Sequence, residues 1–157
     1  LCSGCGYRLA TPDGPLLDTV STIAVPYFKN KTFEPGAEAL FTAAFVNEFI
    51  ESRRIGVVSA QEADAVLRGT IVKLVDDAIA YNSDDKAQHY RVHVILDVTV
   101  EDRRSGKMLW QRKGLQHSEE FPVSGNIVFS EAAKREALKT LADDLAERVH
   151  DSIMHGF

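Results

Sequence analysis

The twelve residues YRVHVILDVTVE, at positions 90–101, decide the fold class of this chain. Val92, Val94, Leu96, Val98 and Val100 fall on one side of an extended strand. Arg91, His93, Asp97, Thr99 and Glu101 fall on the other, and Ile95 alone breaks the alternation. A period of two places successive side chains on opposite faces, so this strand has one dry face and one wet face. That is the signature of an antiparallel sheet covered on one side. Downstream, Arg103, Arg104, Ser105, Gly106 and Lys107 read as a hairpin turn, Gly106 supplying the positive φ. The return strand is predicted over residues 108–121 and carries Trp110.

Working outward, residues 21–28 (STIAVPYF) and 65–75 are strand-like, and residues 55–59 form a shorter candidate. Pro26 cannot donate a ladder hydrogen bond, so the first of these strands is an edge there or ends near it. Between them, Ala37, Leu40, Phe41, Ala44, Phe45 and Phe49 recur at three- and four-residue steps, a helix stripe over residues 37–53 with Pro35 suited to its first turn. After a predicted loop over residues 122–129, Ser130 is a plausible N-cap. Leu138, Leu141, Leu145 and Val149 then mark a long second helix ending near Gly156. Two helices with one apolar stripe each and a sheet with one apolar face solve each other's burial problem. The expected fold is therefore α+β: a two-layer sandwich with two helices on one face of a mixed, mainly antiparallel sheet of four to five strands. The first strand–helix–strand unit should pair in parallel and the remainder should form an antiparallel meander.

Composition sets bounds on function. The 157 residues suffice for one domain, and the net charge of −5, from 18 basic and 23 acidic residues, gives no general affinity for nucleic acid or anionic membranes. No apolar run is long enough to span a bilayer as a helix. Catalytic signatures are lacking: no GxSxG, P-loop or dinucleotide fingerprint occurs, and the five histidines have no convincing ligand spacing. The adjacent pairs Asp76-Asp77, Asp84-Asp85 and Glu119-Glu120 read as solvated turns and edges, because neighbours on a strand point to opposite faces.

The two cysteines stand at Cys2 and Cys5. Ser3-Gly4-Cys5 suits a bacterial lipoprotein processing site, where small residues precede the cut and the thiol accepts a diacylglyceryl group. On that reading residues 1–4 are the remnant of a signal peptide. Cys5 becomes the acylated first residue, residues 5–19 a lipidated tether with Pro12, Gly14 and Pro15, and residues 20–157 a single domain. Half of a zinc site and plain free thiols are the competing readings of the two cysteines. Positive charge gathers at Lys86, at Lys134 and Arg135, and at Arg103, Arg104 and Lys107; solvated groups are the bland reading, an anionic headgroup the functional one.

These pieces together resemble the LptE family of lipoproteins. The resemblance runs through Cys5-Gly6-Tyr7-Arg8-Leu9, then IAVPYFKNKT at 23–32 followed by Glu34-Pro35-Gly36. It continues through AVLRGTI at 65–71, the strand at 90–100, and SGKMLW at 105–110, covering nearly the whole chain. It implies a non-enzymatic, lipid-anchored outer-membrane protein without other cofactors. Its implied partners are the LptD β-barrel, in which it sits as a plug, and lipopolysaccharide. Basic residues at the tip far from the anchor are implicated in some members, and Lys86 and Lys134 lie nearest to those places. Another periplasmic-facing lipoprotein, such as an activator of peptidoglycan synthases, is the alternative, and a hydrolase a more distant one.

Overall fold

The computed structural model describes residues 20–84 and 86–155. Cys5, the expected signal remnant and the expected tether therefore lie outside the described residues. Eight elements follow in order: β1 (Thr22–Ala24), β2 (Lys29–Asn30), α1 (Ala37–Ser52), β3 (Gly56–Val57), β4 (Ala65–Tyr81), β5 (Ala87–Asp102), β6 (Met108–Pro122) and α2 (Ile127–His155). The strands form one sheet in the order β3-β1-β4-β5-β6, with β2 also paired to β4. β1 pairs in parallel with both β3 and β4, whereas β4-β5-β6 is an antiparallel meander.

The α+β sandwich is therefore the observed fold, with six strands where four to five were expected. The difference lies in β2, two residues long and too short to announce itself by periodicity, whereas β3 falls within the candidate over residues 55–59. The decisive strand behaves as its pattern requires, since Val92, Val94, Leu96, Val98 and Val100 are all fully buried. Onto that dry face pack Phe41, Phe45 and Phe49 from α1, with Leu138, Leu141, Leu145 and Val149 from α2.

Two helix starts differ from expectation. Pro35 lies in the turn ahead of α1, which begins after Gly36 in the left-handed conformation (φ 81°) and has no side-chain cap. Likewise Ser130 is not the N-cap of α2. Asn126 takes that place, its Oδ1 accepting from the backbone N–H of Val128 at 3.0 Å and Phe129 at 3.3 Å. α2 thus starts at Ile127, inside the stretch expected to be loop.

The sheet has two ends. At its base, β1 meets the start of β4, and the β5–β6 turn closes on Asp102, whose Oδ1 accepts from Arg104 N, Ser105 N and Ser105 Oγ. Asp64 fastens β1 there, its Oδ2 accepting from Ser21 N, Thr22 N and Thr22 Oγ1. These hydrogen bonds hold both carboxyls below the usual aspartate range. At the tip lie the β4–β5 turn, the end of β6 and the start of α2. Seventeen residues of β4 separate the two ends, about 55 Å at strand rise.

One close contact is built around a missing side chain. The Phe28 ring lies over Gly69 of β4, where a Cβ would stand 2.1 Å from a ring carbon. Gly69→Ala should consequently cost about 1–3 kcal/mol by overpacking. Phe28→Leu introduced beside it should restore part of the loss, and chemical denaturation of the double-mutant cycle measures the coupling. Additive losses would show that the ring moves away without cost.

Candidate functional site

The basic residues named from the sequence fall at opposite ends of the sheet. Arg103, Arg104 and Lys107 occupy the β5–β6 turn at the base. Arg103 is partly used in fastening that end, its Nε donating to Ala63 O at 2.6 Å and its backbone N to Asp64 O at 2.8 Å. Lys86 is exposed in the β4–β5 turn at the tip, with its backbone N donating to Asn82 Oδ1. Arg135 is exposed on the first half of α2. A single ligand the size of one headgroup could not touch both sets.

Lys134, beside Arg135, has a different setting. Its ammonium lies 2.7 Å from Glu34 Oε2 and 2.7 Å from Asp76 Oδ2, with the lysine side chain only 17% exposed. This triad ties α2, the β2–α1 loop and β4 together across the tip half of the molecule. Burial works against the lysine charge, but the hydrogen bonds and charges of Asp76 and Glu34 outweigh it and hold the pKa above 10.5. Lys134→Met should lower stability by about 1–2 kcal/mol, because it leaves two carboxylates facing each other with no cation. A raised pKa contributes stability at neutral pH that fades as pH rises through the folded value. The gap between wild type and variant should accordingly be flat from pH 6 to 9 and close only above pH 10.5. Thermal melts across that range check it.

Beside the triad, Pro35, Gly36, Leu40, Phe41, Arg135 and Leu138 help line a cleft of about 270 Å³ between the start of α1 and α2. Among the described residues, no helix covers the opposite face of the sheet. Its side chains pair across strands: Arg91 Nη2 meets Glu120 Oε1 at 2.6 Å, His93 faces Ser118 Oγ at 3.3 Å, and Arg68 approaches Glu101 at 3.6 Å. The same face also carries Ile95 and, near the base, the small apolar cluster of Ala24, Ala63 and Val66.

Among the described residues, no group of three or more His, Cys, Asp or Glu side chains is arranged to hold a metal ion. No helix there is long and apolar enough to cross a membrane. Sequence reasoning missed two features. His150 is buried between the helices, neither ring nitrogen hydrogen-bonded, with Glu48 and Asp151 carboxylates 3.6 and 3.5 Å from Nδ1. Burial raises the pKa of Glu48, against the opposing pull of His150. The other is the exposed run Ile127, Val128 and Phe129. An apolar triplet in a stretch read as loop was the available signal for it.

With this geometry in view, a family model described as LptE, lipopolysaccharide-assembly, matches residues 20–153. The chain belongs to the LptE family. Lipopolysaccharide assembly at the cell envelope is thus its role, and its two-layer fold is one that distant lipoproteins share. A candidate lipoprotein from Caulobacter crescentus superposes with a TM-score of 0.59 at 11% identity, over 82% of this chain and 88% of that one. PelC from Paraburkholderia phytofirmans, solved as a dodecamer, gives 0.55 at 16% identity over 85% and 89%. Lipoprotein B from Nitrosomonas europaea gives 0.53 at 13% identity over 86% and 83%. At such identities these structures speak to the fold alone. Among curated proteins, none matches the sequence.

Proposed function

We propose that this LptE-family protein works at the outer membrane as the plug and assembly partner of the LptD β-barrel, assisting lipopolysaccharide on its way into the outer leaflet. Family membership over residues 20–153 carries the reading. The helix-free sheet face supports it physically. The lumen of a large outer-membrane barrel is polar, and cross-strand pairs such as Arg91–Glu120 can lie against it without stranding a charge. Acylation of Cys5 would hold the domain at the periplasmic side of that membrane, with no further cofactor required.

Of the candidate anion contacts, Lys86 at the tip is the best placed for a headgroup passing through a barrel, whereas Arg135 lies between Glu131 and Glu136. Lys134 is already matched by two carboxylates. Arg104 and Lys107 lie at the base, where Val20 leads into β1. Co-purification from outer membranes tests the central claim. Detergent-extracted LptD should carry the protein in a fixed ratio, and depletion of the protein should leave the barrel poorly assembled. A protein that purifies apart from every barrel, or with a peptidoglycan synthase instead, would overturn the reading.

A further inference from the structure

We infer that Ile127, Val128 and Phe129 form a protein-docking knob that seats in an apolar socket rimmed by Lys or Arg on the barrel partner. The three open α2 at the tip and are 74%, 74% and 50% exposed. Single exposed apolar side chains are ordinary on a soluble domain. Three in succession on an exposed first turn mark an interaction surface. Their backbone is fixed before any partner arrives. Asn126 Oδ1 accepts from the N–H groups of Val128 and Phe129, while Ser124 N donates to Ser130 Oγ at 3.0 Å and Ser130 Oγ donates to Asn126 O at 3.2 Å. Ordering costs on binding are correspondingly small.

The charges around the knob choose its occupant. Ile127 and Val128 share a shallow depression with Glu131, Ala132, Arg135 and Glu136. A neighbouring depression adds Glu119 and Glu120 beside the same Glu136, and Glu120 is answered by Arg91. Arg91 is matched by Glu120 and Lys134 by Glu34 and Asp76, which leaves Arg135 facing Glu119, Glu131 and Glu136, an excess of negative charge. A phosphate-bearing lipid inserting its chains here would bring like charges together, whereas a basic-rimmed protein socket would find complementary ones. Buried apolar anchors with a charged rim are also how protein interfaces concentrate their affinity.

This inference rests on the barrel reading above, and the test separates the two. In cells making the full lipidated chain with LptD, a photo-crosslinking amino acid replaces Val128 in one strain and Thr99, on the open sheet face, in another. Both positions should crosslink to the barrel. Crosslinking from Thr99 alone, or crosslinking of position 128 to lipid, overturns the knob and leaves the barrel reading standing; failure at both positions removes both. In parallel, Val128→Asp should reduce the barrel recovered with the protein at least tenfold. An aspartate in a helix's first turn favours the helix, so circular dichroism should be unchanged. Undiminished recovery would overturn the inference.

Discussion

Replacing Phe45 by alanine should lower the free energy of unfolding by about 3–5 kcal/mol, the range for emptying a buried aromatic site. Phe45 is wholly inaccessible in the middle of α1, and its ring centroid lies 4.8 Å from that of Phe28 at 55°. Around it the site is poorly able to collapse. Phe28 is itself pinned over Gly69 on one side, and its backbone N–H donates to Thr42 Oγ1 at 2.9 Å on the other. The cavity should therefore stay largely open, and the melting temperature should fall by about 6–20 °C at 2–4 °C per kcal/mol. Tyr27→Ala, at a residue 76% exposed, provides the contrast and should change stability by about 0.5 kcal/mol or less. Denaturant titrations of both variants give the comparison. A Phe45→Ala loss under 1 kcal/mol would mean that the two layers are not bound together at this ring pair.

What the sequence reveals of this fold follows the strength of each periodic signal. β5 was legible because Val92, Val94, Leu96, Val98 and Val100 keep a period of two with Ile95 as the one exception, and α1 because its phenylalanines keep helical spacing. The second half of β4 was not, since register shifts between Ile71 and Lys73 and between Ala78 and Ala80 break the alternation that the eye follows. The expected strand consequently stopped at Val75, whereas β4 continues to Tyr81. The start of α2 was hidden for the converse reason. Its first turn shows its apolar residues to solvent, so no buried stripe begins until Ala137 and Leu138.

The candidate site was legible only as a set of charges. Nothing local distinguishes Lys134 from Arg135, yet one is held between two carboxylates and the other is free to face solvent. The difference is made by Glu34, 100 residues away in sequence, and by Asp76, on a part of β4 whose strand character was itself obscured. Ion pairs of this kind depend on the final packing, and periodicity carries no information about them. Hairpin geometry, by contrast, was available: in a meander, successive turns lie at opposite ends, which already separates Lys86 from Arg103, Arg104 and Lys107.

Substituting Cys5 by alanine should detach the domain from the membrane while leaving it folded. The acylation proposed for Cys5 would supply three acyl chains, which at about 0.8 kcal/mol per buried methylene bind far more tightly than the single chain that gives only reversible attachment, so removing the acceptor thiol should move the partition by many orders of magnitude. Folding should survive because the buried core of the described residues begins at Val20 and draws on the two helices and the sheet. A barrel partner could retain the unacylated domain by itself. The experiment therefore needs the chain, made behind a complete signal peptide in a Gram-negative cell, in excess over LptD. Under those conditions the wild type should sediment with membranes and the Cys5→Ala form should appear in the periplasmic fraction with an unchanged melting temperature. Cys2→Ala should sediment as the wild type does, because only the cysteine after Ser3-Gly4 suits the processing site. Membrane retention of the Cys5→Ala form, together with a wild-type protein whose mass shows no acyl groups, would remove the anchor from the account and leave the fit against the barrel as the sole attachment.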